Sequence, residues 1–328
     1  MFPSKIDVPV LLIFFARPHT FKKVFDSVRK ARPSVLLLWQ DGPRSGNNKD
    51  LEGIKLCRTI VEEGIDWDCK VHKHFNEKNF GCDPSTFYSH KWAFSIVDKC
   101  IVLEDDMVPS QSYFSFCKEM LDKYEFDERI NHICGVNPIG TNENCPADYF
   151  FAYNGTGAWA SWRRVALEWD EEYSFLNKDY YLYNLKYSRK SLFSKSLEIA
   201  KGRRKMGIPY WETILGFNCM LNNRLVIIPR NNLVKNIGFS LGATHGADIR
   251  LLYKSMRQVF LQEAQEIVFP LKYQEFVVPD KRYEECYNRI IGIGHPFLSF
   301  RRKIGYLFRC IRYGKFSNIF SAIKRLRK

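Results

Sequence analysis

Three adjacent carboxylates, Glu104, Asp105 and Asp106, are the strongest chemical signal in the sequence. They directly follow the apolar run Cys100–Leu103, and such a run is typical of a strand that is covered on both faces. Neighbouring carboxylates repel one another unless a cation or a hydrogen-bond donor shares their site. Carboxylate oxygens suit Mg²⁺ or Mn²⁺, which commonly bind through one or two carboxylates together with the phosphates of a ligand. The sequence therefore predicts a divalent-metal site here, with a solvated acidic turn as the alternative.

The elements that must position these acids are strands and helices in regular alternation. Apolar stretches predict four strands, over Val8–Ala16, Ser34–Gln40, Asp68–Phe75 and Cys100–Leu103. Apolar residues at helical spacing predict helices between them, over His19–Arg32, residues 49–63 and Pro84–Val97. This order predicts an α/β fold with a mostly parallel, doubly wound sheet that is flanked by helices.

Polar residues stand at the carboxyl ends of all four predicted strands. They are Arg17, Asp41, Asn79 with Gly81, and the three acids. Ligands of such sheets bind beyond these ends, so we expect one site there. The sequence has no G-x-G-x-x-G after its first strand, no G-x-x-x-x-G-K-[ST] and no G-x-S-x-G. These absences argue against a Rossmann dehydrogenase, a P-loop phosphotransferase and the common α/β hydrolases.

Positive charge is concentrated at the end of the chain. The 328 residues carry a formal net charge of +14, and the segment from Phe297 to Lys328 holds ten Lys or Arg and no acid. Its apolar residues recur at helical spacing, which predicts two short amphipathic helices broken near Gly314. Docking on an anionic membrane surface is the favoured interpretation, and packing against the body or a partner protein is the alternative. A nucleic-acid partner is disfavoured because no RNA-binding or zinc motif accompanies the charge.

The cysteines and the first strand bear on localisation. Ten cysteines occur without a C-x-x-C pair, which favours reduced thiols. The run Val8–Ala16 is far shorter than the roughly 20 residues that span a bilayer. We therefore expect a cytoplasmic protein, peripheral on the inner face of the membrane.

The strand-end motifs together resemble those of the GT-A fold nucleotide-diphospho-sugar glycosyltransferases. More narrowly, they are similar to bacterial family 2-like transferases related to N-acetylglucosaminyltransferase I and protein O-mannose N-acetylglucosaminyltransferase. The matching residues extend over about residues 8–246. They are Arg17-Pro18, Asp41-Gly42, Asn79-Phe80-Gly81, Leu103-Glu104-Asp105-Asp106, Pro109-Ser110, Gly155-Thr156-Gly157-Ala158-Trp159, Trp211-Glu212, Asn232 to Phe239 and Ala243-Thr244-His245.

The resemblance implies roles on the donor side of the site. It makes Asp106 the metal-binding carboxylate and places Asp105 and Glu104 near the ribose and the uracil. Ala16, Arg17 and Asp41 would border the base, and Asn79 with Gly81 would close over the nucleoside. Lys91 would reach the diphosphate, or else it is a solvated surface lysine.

On the acceptor side, the resemblance and the chemistry of sugar transfer point to Glu212. An inverting transfer needs a general base for the acceptor hydroxyl, and Glu212 is the candidate, with helix capping as the alternative. Gly157, Trp159 and Trp211 are expected to contact the acceptor, although either tryptophan is equally suited to the core. His245 is a candidate second ligand for the metal or the diphosphate, or else a surface residue of its loop.

The predicted function is transfer of a sugar from a nucleotide-diphosphate sugar, a UDP-sugar by resemblance, to a glycan or lipid-linked glycan, with Mn²⁺ or Mg²⁺ and with inversion. The alternatives are a sugar nucleotidylyltransferase, whose Gly-rich basic loop after the first strand is missing here, and a non-catalytic sugar- or membrane-binding protein of the same fold. Residues 1–130 would form the nucleotide-sugar-binding half and residues 131–294 the acceptor-binding and catalytic half. Residues 295–328 would form the basic amphipathic tail.

Overall fold

A central sheet organises the chain. The computed structural model of the protein describes residues 1–155, 157–188, 190–239, 248–316 and 318–319. The strands are β1 (Val10–Phe14), β2 (Val35–Gln40), β3 (Lys70–Phe75), β4 (Lys99–Glu104), β5 (Met107–Pro109), β6 (Ile130–Cys134), β7 (Tyr149–Ala152), β8 (Trp159–Trp162), β9 (Leu225–Pro229) and β10 (Val234–Asn236). Eight of them form one sheet in the order β3-β2-β1-β4-β8-β6-β9-β7, and β10 pairs with β5 beside it.

Helices flank this sheet and extend beyond it. They are α1 (Pro18–Ala31), α2 (Asn48–Gly64), α3 (Cys82–Ile96), α4 (Gln111–Lys123), α5 (Arg163–Ala166), α6 (Asp179–Ser188), α7 (Lys190–Met206), α8 (Trp211–Leu221), α9 (Lys254–Phe260), α10 (Lys281–Ile291) and α11 (Pro296–Arg312). Short 3₁₀ turns lie at Ser174–Asn177 and Ile249–Leu251. Helix α1 contacts α2 and α4, and helix α3 contacts α5 and α8.

The strand directions confirm the predicted α/β class. β1 runs parallel to β2 and β4, and β2 runs parallel to β3. β8 is antiparallel to both β4 and β6, and β7 is antiparallel to β9. Every residue of β1 is buried, as expected for a strand with both faces covered. The sheet is therefore mostly parallel, with antiparallel strands confined to the half that follows β4.

The first helix follows the predicted amphipathic pattern. In α1 the side chains of Phe21, Val24, Phe25 and Val28 are buried against the sheet. The helix ends at Ala31; the backbone of the next residue, Arg32, is left-handed at φ 50°, and Pro33 follows. Proline disfavours the helical conformation in the residue before it, so the sequence predicts the end of this helix.

The strand order reverses at β1, which has β2 on one side and β4 on the other. In open α/β sheets such a reversal leaves a crevice between the loops at the carboxyl ends of the two strands, and ligands bind there. The two loops here are the β1–α1 loop with Arg17 and the β4–β5 loop with Asp105 and Asp106. The topology thus brings two of the motifs singled out in the sequence to one point.

The end of the chain forms a helix that packs on the body. α11 contacts the turn Ile249–Leu251, and Gly314, with φ +65°, follows its end near the predicted break. The second predicted amphipathic helix lies largely outside the described residues. Within the described part of the chain, none of the helices combines the length and the apolar character that a membrane span needs.

The close approach of α2 to the β1–α1 loop allows a test of the fold. A Cβ on Gly53 of α2 would lie 2.4 Å from the carbonyl oxygen of Ala16, next to Arg17. We expect Gly53→Ala to lower the free energy of unfolding by about 1–3 kcal/mol, because backbone must move to make room. Urea denaturation followed by circular dichroism measures the change.

Gly202→Ala is the matched control, since no atom lies within 4 Å of a Cβ at that helical position. It is expected to be neutral or to stabilise by up to about 1 kcal/mol, as alanine favours a helix over glycine. Equal effects of the two substitutions would contradict the close packing at Gly53.

Candidate functional site

A cavity of about 540 Å³ lies beyond the carboxyl ends of β1 and β4. Its size is within the range of sites for small molecules. The polar part of its wall consists of Arg17, Glu104, Asp106, Tyr210, Glu212 and Asn236. An apolar part of the wall is formed largely by α9 and α10, which supply Met256, Val259, Phe260, Ile290 and Ile291. The cavity can therefore bind a molecule that has both a charged end and an apolar surface.

Arg17 joins the two loops at the strand reversal. Its guanidinium forms an ion pair with Asp105, and its Nη2 lies 3.1 Å from Oδ2 of Asp106. The backbone N–H of Phe15 also donates to Asp105, over 3.4 Å. Burial works to lower the pKa of Arg17, but the two carboxylates outweigh it and raise that pKa above its ordinary value. Asp105 is 5% exposed and is not part of the cavity wall, so its carboxylate holds the loops together.

Glu104 lies on the cavity wall in a strongly acidic environment. Burial, followed by the nearby Asp106, Glu212 and Asp105 carboxylates, raises the pKa of Glu104 to about 8. Arg17 is the cation that opposes this effect. A proton on Glu104 or a bound cation is therefore needed to balance the charge of the cavity at neutral pH.

The donor set at this point fits one kind of metal site. Within the described ranges, no group of three or more His, Cys, Asp or Glu side chains is arranged to hold a metal ion. Asp106, with Glu104 beside it, offers carboxylate oxygens to the cavity. This fits Mg²⁺ or Mn²⁺ held jointly with the phosphates of a ligand, and does not fit an ion held by protein groups alone. His245, the other predicted ligand, lies outside the described residues.

Asp41 ties the next two strand ends together. Its carboxylate accepts hydrogen bonds from the backbone N–H groups of Gly42, Phe80 and Gly81 and from the side chain of Asn79, over 3.0–3.2 Å. Burial raises the pKa of Asp41, and the backbone donors partly offset this. The structure thus brings together the predicted Asp41, Asn79 and Gly81. None of these three described residues is on the cavity wall, where the adjacent Cys82 stands instead.

Glu212 is held at the start of α8 by a chain of polar contacts. The Tyr210 hydroxyl donates to its Oε2. The guanidinium of Arg203 lies 4.3 Å from the centre of the Tyr210 ring and pairs with Asp83. Burial and the Glu212 carboxylate raise the pKa of Tyr210 well above its ordinary value, so the hydroxyl stays protonated and donates. The first turn of a helix also stabilises a carboxylate.

Of three further predicted residues, two line the cavity and one lies in the hydrophobic core. Trp211 and Gly157 line the cavity. Trp159 is 2% exposed, stacks on Trp211 with ring centroids 5.7 Å apart, and faces His90 edge-on. The structure therefore places Trp159 in the core, the alternative that the sequence left open, whereas Trp211, 6% exposed, is the one of the two that reaches the cavity wall.

Two further predicted donor residues are off the cavity wall. Ala16 is half-buried beside Arg17, with its carbonyl turned towards Gly53. Lys91 is half-buried in the third turn of α3 and is not among the described residues that form the wall. Its predicted reach to a diphosphate therefore stays a prediction.

Sequence reasoning assigned no role to several residues of the site, although Asn236 and Gly238 lie in one of the matching motifs. Asn236 lies opposite Met107 in the β10–β5 pair, and the backbone N–H of Ile237 donates to the carbonyl of Asp106 over 2.8 Å. A Cβ on Gly238 would lie 2.2 Å from the Asp106 carboxylate, so only glycine fits there without movement. The position of Tyr210, directly before Trp211-Glu212 at a predicted helix start, was an available signal. The apolar wall of α9 and α10 carries no motif.

Comparisons with known proteins identify no family for the chain. No family model matches the sequence, and no curated protein matches it. Among solved structures, the chain is similar to a crystal structure of UDP-glucose pyrophosphorylase complexed with UDP-glucose. The two are 10% identical, the alignment covers 69% of this chain and 91% of that chain, and the TM-score is 0.31.

The buried ion pair predicts a large effect of substitution at Arg17. We expect Arg17→Gln to lower the free energy of unfolding by about 3–5 kcal/mol, because it leaves the buried Asp105 carboxylate without a compensating charge. Arg17→Lys keeps the charge but not the forked geometry, so its free energy of unfolding should lie between those of Arg17→Gln and the wild type. Chemical denaturation at pH 7 measures both, and a loss below about 0.5 kcal/mol for Arg17→Gln, the size of an ordinary surface substitution, would contradict the role of the pair.

Proposed function

We propose that the protein is a glycosyltransferase that uses a nucleotide-diphosphate sugar, a UDP-sugar, and a divalent cation to glycosylate a carbohydrate acceptor. The observation that carries this proposal is the composition of one cavity wall: Asp106 and Glu104 stand at the strand reversal, and Glu212 shares the same cavity. Glu212 is near enough to contribute to the raised pKa of Glu104. The resemblance of the strand-end motifs to GT-A glycosyltransferases supports the same conclusion.

The donor would bind at the strand reversal. Asp106, with Glu104 beside it, would hold Mn²⁺ or Mg²⁺ together with the diphosphate. The cation supplies positive charge that stabilises the diphosphate as it leaves. Arg17 positions Asp106 through the contact of 3.1 Å, and the β10 loop supports the same residue from its other side. In the proposal residues 1–130 supply the carboxylates and Arg17 of this half, and the β10 loop comes from residues 131–294.

The acceptor would bind between Glu212, Trp211 and the apolar wall, within residues 131–294. Glu212 takes the proton of the acceptor hydroxyl, the acceptor oxygen bonds to the anomeric carbon, and the nucleotide diphosphate leaves with the electron pair of the broken bond. A direct displacement of this kind inverts the anomeric centre. The apolar wall suits the apolar face of a sugar ring or an apolar group attached to the acceptor, such as the lipid of a lipid-linked glycan.

Calorimetric titration with UDP tests the donor site. We expect wild-type protein to bind UDP in the presence of Mn²⁺, and binding to fall at least about tenfold when either the ion or the Asp106 carboxylate is removed, as in Asp106→Asn. Glu52→Gln, which removes an exposed carboxylate of α2, is the matched control and should bind as wild type does. Binding of UDP that needs neither Mn²⁺ nor Asp106 would contradict the proposed site.

Turnover of UDP-sugars distinguishes the proposed reaction from its alternatives. Glu212→Gln should retain UDP binding, but it should release UDP from a UDP-sugar about 10²- to 10⁴-fold more slowly, which is the usual contribution of a general base. Formation of UTP from a UDP-sugar and pyrophosphate would instead identify a nucleotidylyltransferase. Donor binding without turnover, over a panel of UDP-sugars and carbohydrate acceptors, would favour the non-catalytic alternative.

The Tyr210 hydroxyl allows a pH test of the Glu212 assignment. In Tyr210→Phe the ionised carboxylate loses a donor, so its pKa should rise and the acid limb of the kcat/KM profile should move up by about one pH unit. Tyr181→Phe, at a ring that is 57% exposed, is the control and should leave the profile unchanged. A slower Tyr210→Phe enzyme with an unmoved acid limb would show that Tyr210 acts by packing alone.

A further inference from the structure

Helix α11 packs against the body of the protein through two arginine side chains. Arg302 donates to the backbone carbonyls of Ile290 and Arg289 over 3.0 and 2.9 Å, and its guanidinium lies 3.9 Å from the centre of the Tyr253 ring. Arg309 donates to the carbonyl of Leu251 over 2.8 Å. Two cations of the tail are thus used as anchors, and the helix is fixed with these arginines turned inward.

The opposite face of α11 is apolar and exposed. The exposed fractions of Phe297, Phe300, Phe308 and Ile311 lie between 53% and 73%, and the half-buried Ile304 stands between them. Spacings of 3, 4, 4 and 3 residues align these five side chains along one side of the helix. We call them the outer stripe, which runs along a helix of 17 residues, or about 25 Å.

Positive charge borders the outer stripe. Arg301 and Arg312 are both exposed and are eleven residues apart, so they point in nearly the same direction beside it. No acidic residue occurs from Phe297 onward. An apolar stripe with a basic edge complements a surface that offers hydrocarbon beneath anionic groups. A second copy of the same face would bring two basic edges together, which disfavours self-association.

We propose that the outer stripe docks the protein on an anionic lipid membrane, with α11 lying flat in the interface. The aromatic side chains enter the boundary between headgroups and acyl chains, and Arg301 and Arg312 contact the lipid phosphates. Arg302 and Arg309 keep the helix fixed to the body, so docking also orients the whole protein. Ile290, whose carbonyl receives Arg302, lines the cavity, which places the cavity next to the docking helix.

Docking itself does not rest on the proposed function, and its test needs no activity. Full-length protein is floated with vesicles of phosphatidylglycerol and phosphatidylethanolamine, and with vesicles of phosphatidylcholine alone. We expect flotation with the anionic vesicles, weak flotation with the neutral ones, and a decrease at high salt because surface charges are screened.

Two substitutions separate the apolar and the charged contributions. The variant with Phe297→Gln, Phe300→Gln and Phe308→Gln, and the variant with Arg301→Gln and Arg312→Gln, should each bind the anionic vesicles at least about tenfold more weakly. The controls change exposed residues elsewhere: Leu51→Gln, Leu56→Gln and Phe126→Gln for the apolar set, and Lys49→Gln with Lys55→Gln for the charged set. Since all these side chains are exposed, thermal unfolding should show each variant folded.

Three results would overturn the proposal. Wild-type protein that stays with the soluble fraction in the presence of anionic vesicles has no docking surface for them. A triple phenylalanine variant that floats as wild type does would assign membrane binding to another surface. A wild-type dimer in light scattering that becomes a monomer in the triple variant would make the outer stripe an interface between copies of the chain.

Discussion

The buried ion pair between Arg17 and Asp105 is the contact on which the rest of the site depends. It joins the loops that leave β1 and β4, at the point where the order of the parallel strands reverses. A buried carboxylate such as that of Asp105 is stable only when it is paired. If the two loops separated, this carboxylate would be left buried without its partner, which opposes the separation. Asp106, the next residue, thereby receives a fixed position at the mouth of the crevice.

Asp41 repeats this arrangement one strand further out. Its buried carboxylate is satisfied by donors from the loop that follows β3, as that of Asp105 is satisfied by Arg17 and the N–H of Phe15. The acids at the strand ends therefore divide into two that fasten loops and two, Glu104 and Asp106, that face the cavity. The division follows from geometry rather than residue type, because adjacent residues leaving a strand point in different directions.

The sequence predicts the α/β fold and the polar residues at the carboxyl ends of the strands because both follow from local pattern. Continuous apolar runs define β1, β2 and β4, and helical spacing defines α1. The apolar wall of α9 and α10 has no such signature, since its side chains are brought to the cavity by tertiary packing alone. The orientation of α11 was equally beyond the sequence. An amphipathic pattern distinguishes two faces, but it does not show that the backbone carbonyls of Leu251 and Ile290 accept hydrogen bonds from Arg309 and Arg302 and so turn that face inward.

Charge balance connects the fastening pair to the chemistry of the cavity. Arg17 pairs with Asp105 and Asp106, and its charge offsets the burial and the acidic surroundings of Glu104 only in part, because the pKa of Glu104 remains raised. The carboxylates of the wall therefore need either a proton on Glu104 or a cation, and an anionic diphosphate that arrived alone would meet Asp106 and Glu212 without an added positive charge. In the proposed function a divalent cation would meet both needs, because it would lower the repulsion among the carboxylates and attract the phosphates. The same excess of acid that raises the pKa of Glu104 is thus the physical reason to expect metal and ligand to bind together rather than one after the other.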